Sequence, residues 1–96
     1  MNLGFIGTGK IASSVITGIC KSSINYEKIY ISSRNKKIAN KLKKKFKRVF
    51  IEKDNQTIIN NCNWVFLAIT PTVGKKIIKS LKFRLNHIII RIINEN

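Results

Sequence analysis

Short apolar runs alternate with segments of helical period along the whole chain, and that alternation leaves few ways to fold it. Asn2–Ile6 is a short run that ends in glycine, a first strand. Lys10–Cys20 follows as a helix, with Ile11, Val15 and Ile19 in one stripe at four-residue spacing. Lys28–Ser32, with Ile29 and Ile31, reads as a second strand. From Lys36 to Lys47 the positions Ile38, Leu42 and Phe46 again fall four apart, and lysines occupy the other faces. Arg48–Ile51 is a brief third strand and Asn55–Asn61 a short helix. Trp64–Ile69 is an unbroken apolar run, the pattern of a central parallel strand covered on both faces. Thr72–Lys82 is helical through Val73, Ile77, Ile78 and Leu81, with Pro71 suited to its start, and His87–Ile93 is a last strand. Strands and helices joined by short connections predict an α/β domain with right-handed crossovers. Its sheet is mostly parallel, of about five strands with helices on both faces. Residues 1–96 suffice for one such domain and leave no room for a second.

Between the first strand and the first helix stands Gly7-Thr8-Gly9-Lys10-Ile11-Ala12, a G-x-G-x-x-A loop. Such a motif says little by itself, but directly after a strand and opening a helix it predicts a Rossmann-type dinucleotide site. Gly7 permits the tight turn, Gly9 lets the backbone approach a pyrophosphate, and Ala12 keeps helix and strand close. The free N–H groups and positive end of the helix then face the phosphates.

The end of the second strand bears on which dinucleotide. NAD-binding folds place Asp or Glu there to accept hydrogen bonds from the ribose hydroxyls. Here the chain reads Ile31-Ser32-Ser33-Arg34-Asn35, with no acid. A hydroxyl and a guanidinium suit a 2′-phosphate, so the expected cofactor is NADP(H).

The segments LGFIGTGKIASSVITGI, ISSRN, Asp54-Asn55 and WVFLAITPTVGKKIIKSL together resemble the N-terminal domain of the pyrroline-5-carboxylate reductase family, up to about Ile90. The resemblance implies an oxidoreductase that reduces a cyclic imine, 1-pyrroline-5-carboxylate, to proline with NAD(P)H. It places cofactor contacts on Ile6, Gly7, Thr8, Gly9, Lys10 and Ile11, on Ser33 and Arg34, on Asn55, and on Ala68, Ile69, Thr70 and Pro71. Two departures stand out. Thr70 replaces a lysine before the proline, and Arg91-Ile92-Ile93-Asn94-Glu95-Asn96 replaces a turn containing serine and glycine beside the nicotinamide. The family's helical C-terminal domain, which supplies imine binding and the dimer interface, has no counterpart in these residues. No catalytic acid, base or substrate clamp is therefore assigned. Because the pattern fades only at the final strand, the expectation is a truncated or frameshifted reductase, inactive alone, whose helical domain is absent or separately encoded. The 3-hydroxyacid dehydrogenases and deazaflavin-dependent NADP reductases share the glycine loop, but Ser33-Arg34 and Ala68–Pro71 favour the imine reductase.

Charge raises a rival. Nineteen basic residues face four acidic ones, a formal +15. Lysine outnumbers arginine 15 to 4, however, whereas forked recognition of phosphates and bases favours arginine. Lysine, isoleucine and asparagine fill 45 of 96 positions, the mark of A/T-rich coding sequence. The dense run of Lys36, Lys37, Lys41, Lys43, Lys44, Lys45 and Lys47 lacks interleaved aromatics for base stacking and reads as a solvated face. Nucleic acid is thus expected to bind only non-specifically, at low salt. A catalytically silent nucleotide-binding or vestigial protein is a further alternative. Cys20 and Cys62 form no C-x-x-C pair, so no metal site is indicated and both are read as free thiols of a cytoplasmic chain. No signal peptide or run long enough to span a membrane is visible. His87 reads as a surface residue and Trp64 as partly buried packing. Ile88–Ile90 with Ile92 and Ile93 form a β-prone, aggregation-prone segment.

Overall fold

A computed structural model describes residues 1–83 and 87–91, with only the backbone of Pro71 and Arg91. Its elements are β1 (Asn2–Ile6), α1 (Lys10–Lys21), β2 (Lys28–Ser32), α2 (Lys36–Lys45), β3 (Val49–Glu52), α3 (Asn55–Asn61), β4 (Trp64–Leu67), α4 (Pro71–Ser80) and β5 (Ile88–Arg91). All pairings are parallel, in the order β3-β2-β1-β4-β5. The chain steps outward from β1 to β3, then returns to the other side of β1 for β4. That reversal opens a crevice beyond the carboxyl ends of β1 and β4.

Alternation along the strands makes two cores. Leu3, Phe5, Ile29, Ile31 and Val49 pack beneath Ala12, Ile16 and Ile19 of α1 and Ala39 and Leu42 of α2. On the opposite face Ile6, Val65 and Leu67 meet Ile58, Ile59 and Cys62 from α3 and its end, with Ile77 and Ile78 of α4 against them. Phe5 and Phe66 stack across β1 and β4 with centroids 4.4 Å apart and planes 4° apart. Such a pair adds about 0.5–1.5 kcal/mol beyond its area burial.

Several sequence expectations shift. In α1 the buried residues are Ala12, Ile16 and Ile19, while Ile11 and Val15 flank the contact. In α2 they are Ala39 and Leu42, with Ile38 and Phe46 only partly buried. That helix stops at Lys45, because Phe46 turns extended (φ −126, ψ 122) and serves as its C-cap. Strand β3 runs one residue later than the sequence suggests, and β4 ends two residues sooner, at Leu67. Although interior, β4 is not equally covered on both faces: Val65 and Leu67 are buried, Trp64 and Phe66 only partly. Helix α4 begins at Pro71 and ends at Ser80, two residues short of Lys82. Of the expected last strand, Ile92 and Ile93 lie outside the described residues.

His87 is not the surface residue the sequence implied. It is partly buried, with Nε2 2.9 Å from the Ile59 carbonyl and its ring edge-on to Phe83. The lysines of α2 are solvent-exposed. Among the described residues no helix is long and apolar enough to cross a membrane.

Candidate dinucleotide site

The glycine loop leaves β1 through Gly7, whose φ of +93 is open to glycine and strained for other residues. Space forbids a side chain as firmly as the dihedral does. A Cβ here would stand 2.3 Å from the carbonyl oxygen of Ala68, and 2.6 Å from Ile69 Cγ2. The chain must pass this close because Ala68 N–H continues the β1–β4 pairing by donating to Ile6 O at 2.9 Å. Gly9 is different. Its φ of −94 suits any residue, and nothing lies within 4 Å of where its Cβ would be. It is the N-cap of α1 and carries no side-chain cap. The first intrahelical bond there is Ser13 N–H to Gly9 O at 3.0 Å, so the preceding N–H groups lack intrahelical partners. Ala12 is wholly buried against the sheet, which lets α1 approach.

Beyond this loop lies a cleft of about 640 Å³ lined by Gly7, Thr8, Gly9, Arg34, Asn35, Lys36, Ala68, Ile69, Thr70 and Val73. That is the size of a small-molecule pocket, commonly about 300–1,000 Å³. Three βα turns meet in it: the glycine loop, the turn after β2 and the turn after β4. Arg34 and Lys36 supply positive charge, and no acidic residue is among the described lining. Asn35 fixes their turn by capping α2, its side chain accepting from Ile38 N–H at 3.3 Å. The loop is joined to β2 by buried hydrogen bonds. Gly7 N–H donates to Ser32 Oγ (3.0 Å), Thr8 Oγ1 donates to Ser32 O (2.7 Å), and the two hydroxyls are 2.9 Å apart.

Of the residues singled out from sequence, Gly7, Thr8, Gly9, Arg34, Ala68, Ile69 and Thr70 converge on this cleft. Ile6 is buried in the core beneath it. Lys10 lines a neighbouring groove between α1 and α2 with Ser13, Thr17 and Lys41. Ile11 and Ser33 are partly buried and are not among the lining residues. Asn55 starts α3 at the same sheet edge, behind the Asp54 cap that accepts from Gln56 N–H at 3.1 Å. Pro71 opens α4, its side chain outside the described set. Asn35, Lys36 and Val73 were not singled out; the continuing polar run after Arg34 was the available signal for the first two.

An open parallel sheet with a glycine-turned helix start in its reversal crevice defines a nucleotide-binding domain of the doubly wound class. A family model described as NADP oxidoreductase, coenzyme F420-dependent, matches residues 2–95, and the chain belongs to that family. It is 29% identical over 91 residues to pyrroline-5-carboxylate reductase 3 of Xenopus laevis, covering 92% of this chain and 32% of that protein. Among solved structures, 1-pyrroline-5-carboxylate reductase from Streptococcus pyogenes superposes with a TM-score of 0.77 at 29% identity, over 97% of this chain and 34% of the other. The chain thus spans about a third of the length of these relatives. The resemblance to the N-terminal domain of pyrroline-5-carboxylate reductases read from the sequence agrees with these comparisons.

Proposed function

We propose that the chain is the cofactor-binding domain of an NAD(P)H-dependent imine reductase of the pyrroline-5-carboxylate reductase kind, with NADP(H) as its dinucleotide. The observation that carries this is the contrast between the two glycines of the loop. Gly7 is bound to glycine by the fold itself, whereas a Cβ at Gly9 would have nothing within 4 Å, and Gly9 lines the cleft. A bare backbone facing open space at a helix start is a cradle for a phosphate.

In this reading the loop N–H groups of residues 8–11 hold the diphosphate, and Ser33 and Arg34 engage the 2′-phosphate, with Lys36 adding charge. Ala68 to Pro71 border the nicotinamide ribose, with Asn55 at the margin of the adenosine side. The bound dinucleotide supplies the hydride. The chain binds it, orients it and draws its phosphates inward. Recognition of 1-pyrroline-5-carboxylate falls to a helical domain, in the same polypeptide or separately encoded, and the chain alone is expected to be inactive. Its compartment is the cytoplasm.

Calorimetry at physiological salt tests the reading, with NADPH, NADH and the Gly9→Asp variant. Aspartate is a good N-cap and has room at position 9, so the variant should fold as well as the parent. Its carboxylate would oppose the phosphates. Saturable binding that prefers NADPH and vanishes in Gly9→Asp supports the proposal. A folded parent without binding would overturn it, and retention of RNA at that salt would favour the polyanion alternative.

A further inference from the structure

Thr8 and Ser32 belong to different βα turns, one in the glycine loop and one at the last position of β2. Both are buried, 3% and 5% exposed. Proton counting settles the direction of each hydrogen bond between them. The Ser32 carbonyl oxygen can only accept, so the single Thr8 hydroxyl proton goes to it across 2.7 Å. In the 2.9 Å contact between the hydroxyls Ser32 Oγ is therefore the donor. A lone pair of Ser32 Oγ takes the Gly7 N–H at 3.0 Å. Both hydroxyl protons are consumed inside the protein. A phosphate oxygen only accepts, so neither side chain can serve it; Thr8 meets the cleft through its backbone.

We infer that Thr8 and Ser32 are positioning residues, a buried staple that locks the glycine loop to the turn carrying Ser33 and Arg34. The staple fixes the distance between the diphosphate cradle and the cation for the 2′-phosphate. Cofactor preference is then set partly by two residues that never touch the distinguishing group. This consequence rests on the dinucleotide reading of the cleft, but the staple itself is measurable without any ligand. Replacing Thr8 by valine keeps the shape and leaves the Ser32 carbonyl without its donor and Ser32 Oγ without its acceptor.

The test uses the full chain with Thr8→Val, Thr8→Ser and Ser32→Ala. Without ligand, amide exchange at Gly7 should quicken by about tenfold or more in Ser32→Ala, as loss of one buried hydrogen bond implies. Backbone shifts at residues 33–35 should move in Thr8→Val and return in Thr8→Ser. With ligand, Thr8→Val should weaken NADPH by about tenfold and NADH by less, and Thr8→Ser should restore the parent ratio. Equal weakening of both dinucleotides would overturn the preference role, because a purely structural defect does not read the 2′-phosphate. Unchanged Gly7 exchange in Ser32→Ala would overturn the staple. A parent chain that binds neither dinucleotide would remove the cofactor reading, while the exchange result still decides the staple.

Discussion

Cys62 stands where a side chain on Gly4 would go. A Cβ on Gly4 would lie 2.7 Å from Cys62 Sγ and 2.6 Å from Ile58 Cγ2, so α3 rests directly on the backbone of β1. Gly4→Ala should therefore destabilise the chain by about 1–3 kcal/mol, the usual cost of overpacking. Pairing it with Cys62→Ala should recover only part of the loss, because Ile58 still obstructs. Urea unfolding of the single and double variants checks this, and full recovery would mean that Ile58 yields freely.

The two loop glycines should separate stability from binding. Gly7→Ala forces a residue with a Cβ into φ +93 and against the Ala68 carbonyl, at a cost of about 1–3 kcal/mol for the dihedral alone. Its melting temperature should fall markedly. Gly9→Asp should melt near the parent yet fail to bind a dinucleotide. A well-folded Gly7→Ala chain would show that the β1–α1 turn can relax away from β4.

Burial above all, followed by the charge of Glu52, pushes the Cys62 thiol up to about 12. Cys20 is partly exposed. At about pH 8, iodoacetamide should modify Cys20 in the folded chain and spare Cys62 until denaturant is added, since the thiolate is the reactive form. Mass spectrometry of labelled peptides reads this directly. The same shift has a pH consequence. Between the ordinary value of 9.0 and about 12, the unfolded chain has released a proton that the folded chain keeps. The contribution is whole below pH 9 and is lost as pH climbs toward 12. Cys62→Ser should flatten that part of the stability profile.

Ile88 and Ile89 are 46% and 43% exposed on β5, the outermost strand on its side among the described residues. An apolar edge of this kind invites pairing between chains. Ile88→Lys should raise the concentration at which light scattering first detects self-association, without altering dinucleotide affinity. An unchanged threshold would locate association elsewhere.

The glycine loop was legible because its demands are made of backbone. Only glycine satisfies Gly7, and the strand before it and the helix after it announce where it sits. The parallel sheet followed from alternation for the same reason. Helix faces were harder to read. In α1 the sets 11/15/19 and 12/16/19 both fit the helical period, and the greater apolar bulk of Ile11 beside the small Ala12 advertised the wrong one. Ala12 and Ala39 mark the true contact faces because they are small enough to let the helices close on the sheet. The Thr8–Ser32 pair had no local signal: the partners are 24 residues apart, and only β1–β2 pairing brings them together. Lys36 was hidden in a lysine-rich run whose members are all exposed, so nothing in the residue type set it apart.

The glycine loop hangs from β1, the middle strand of the five, and the residues just before it, Phe5 and Ile6, are 0% and 1% exposed. Such a loop cannot drift without disturbing both cores at once. Its conformational freedom is surrendered when the chain folds, so little entropy remains to be lost on meeting a ligand. Slow amide exchange should therefore extend from β1 to the Gly7 N–H, held by Ser32 Oγ, and the crevice should persist in shape until the domain as a whole comes apart.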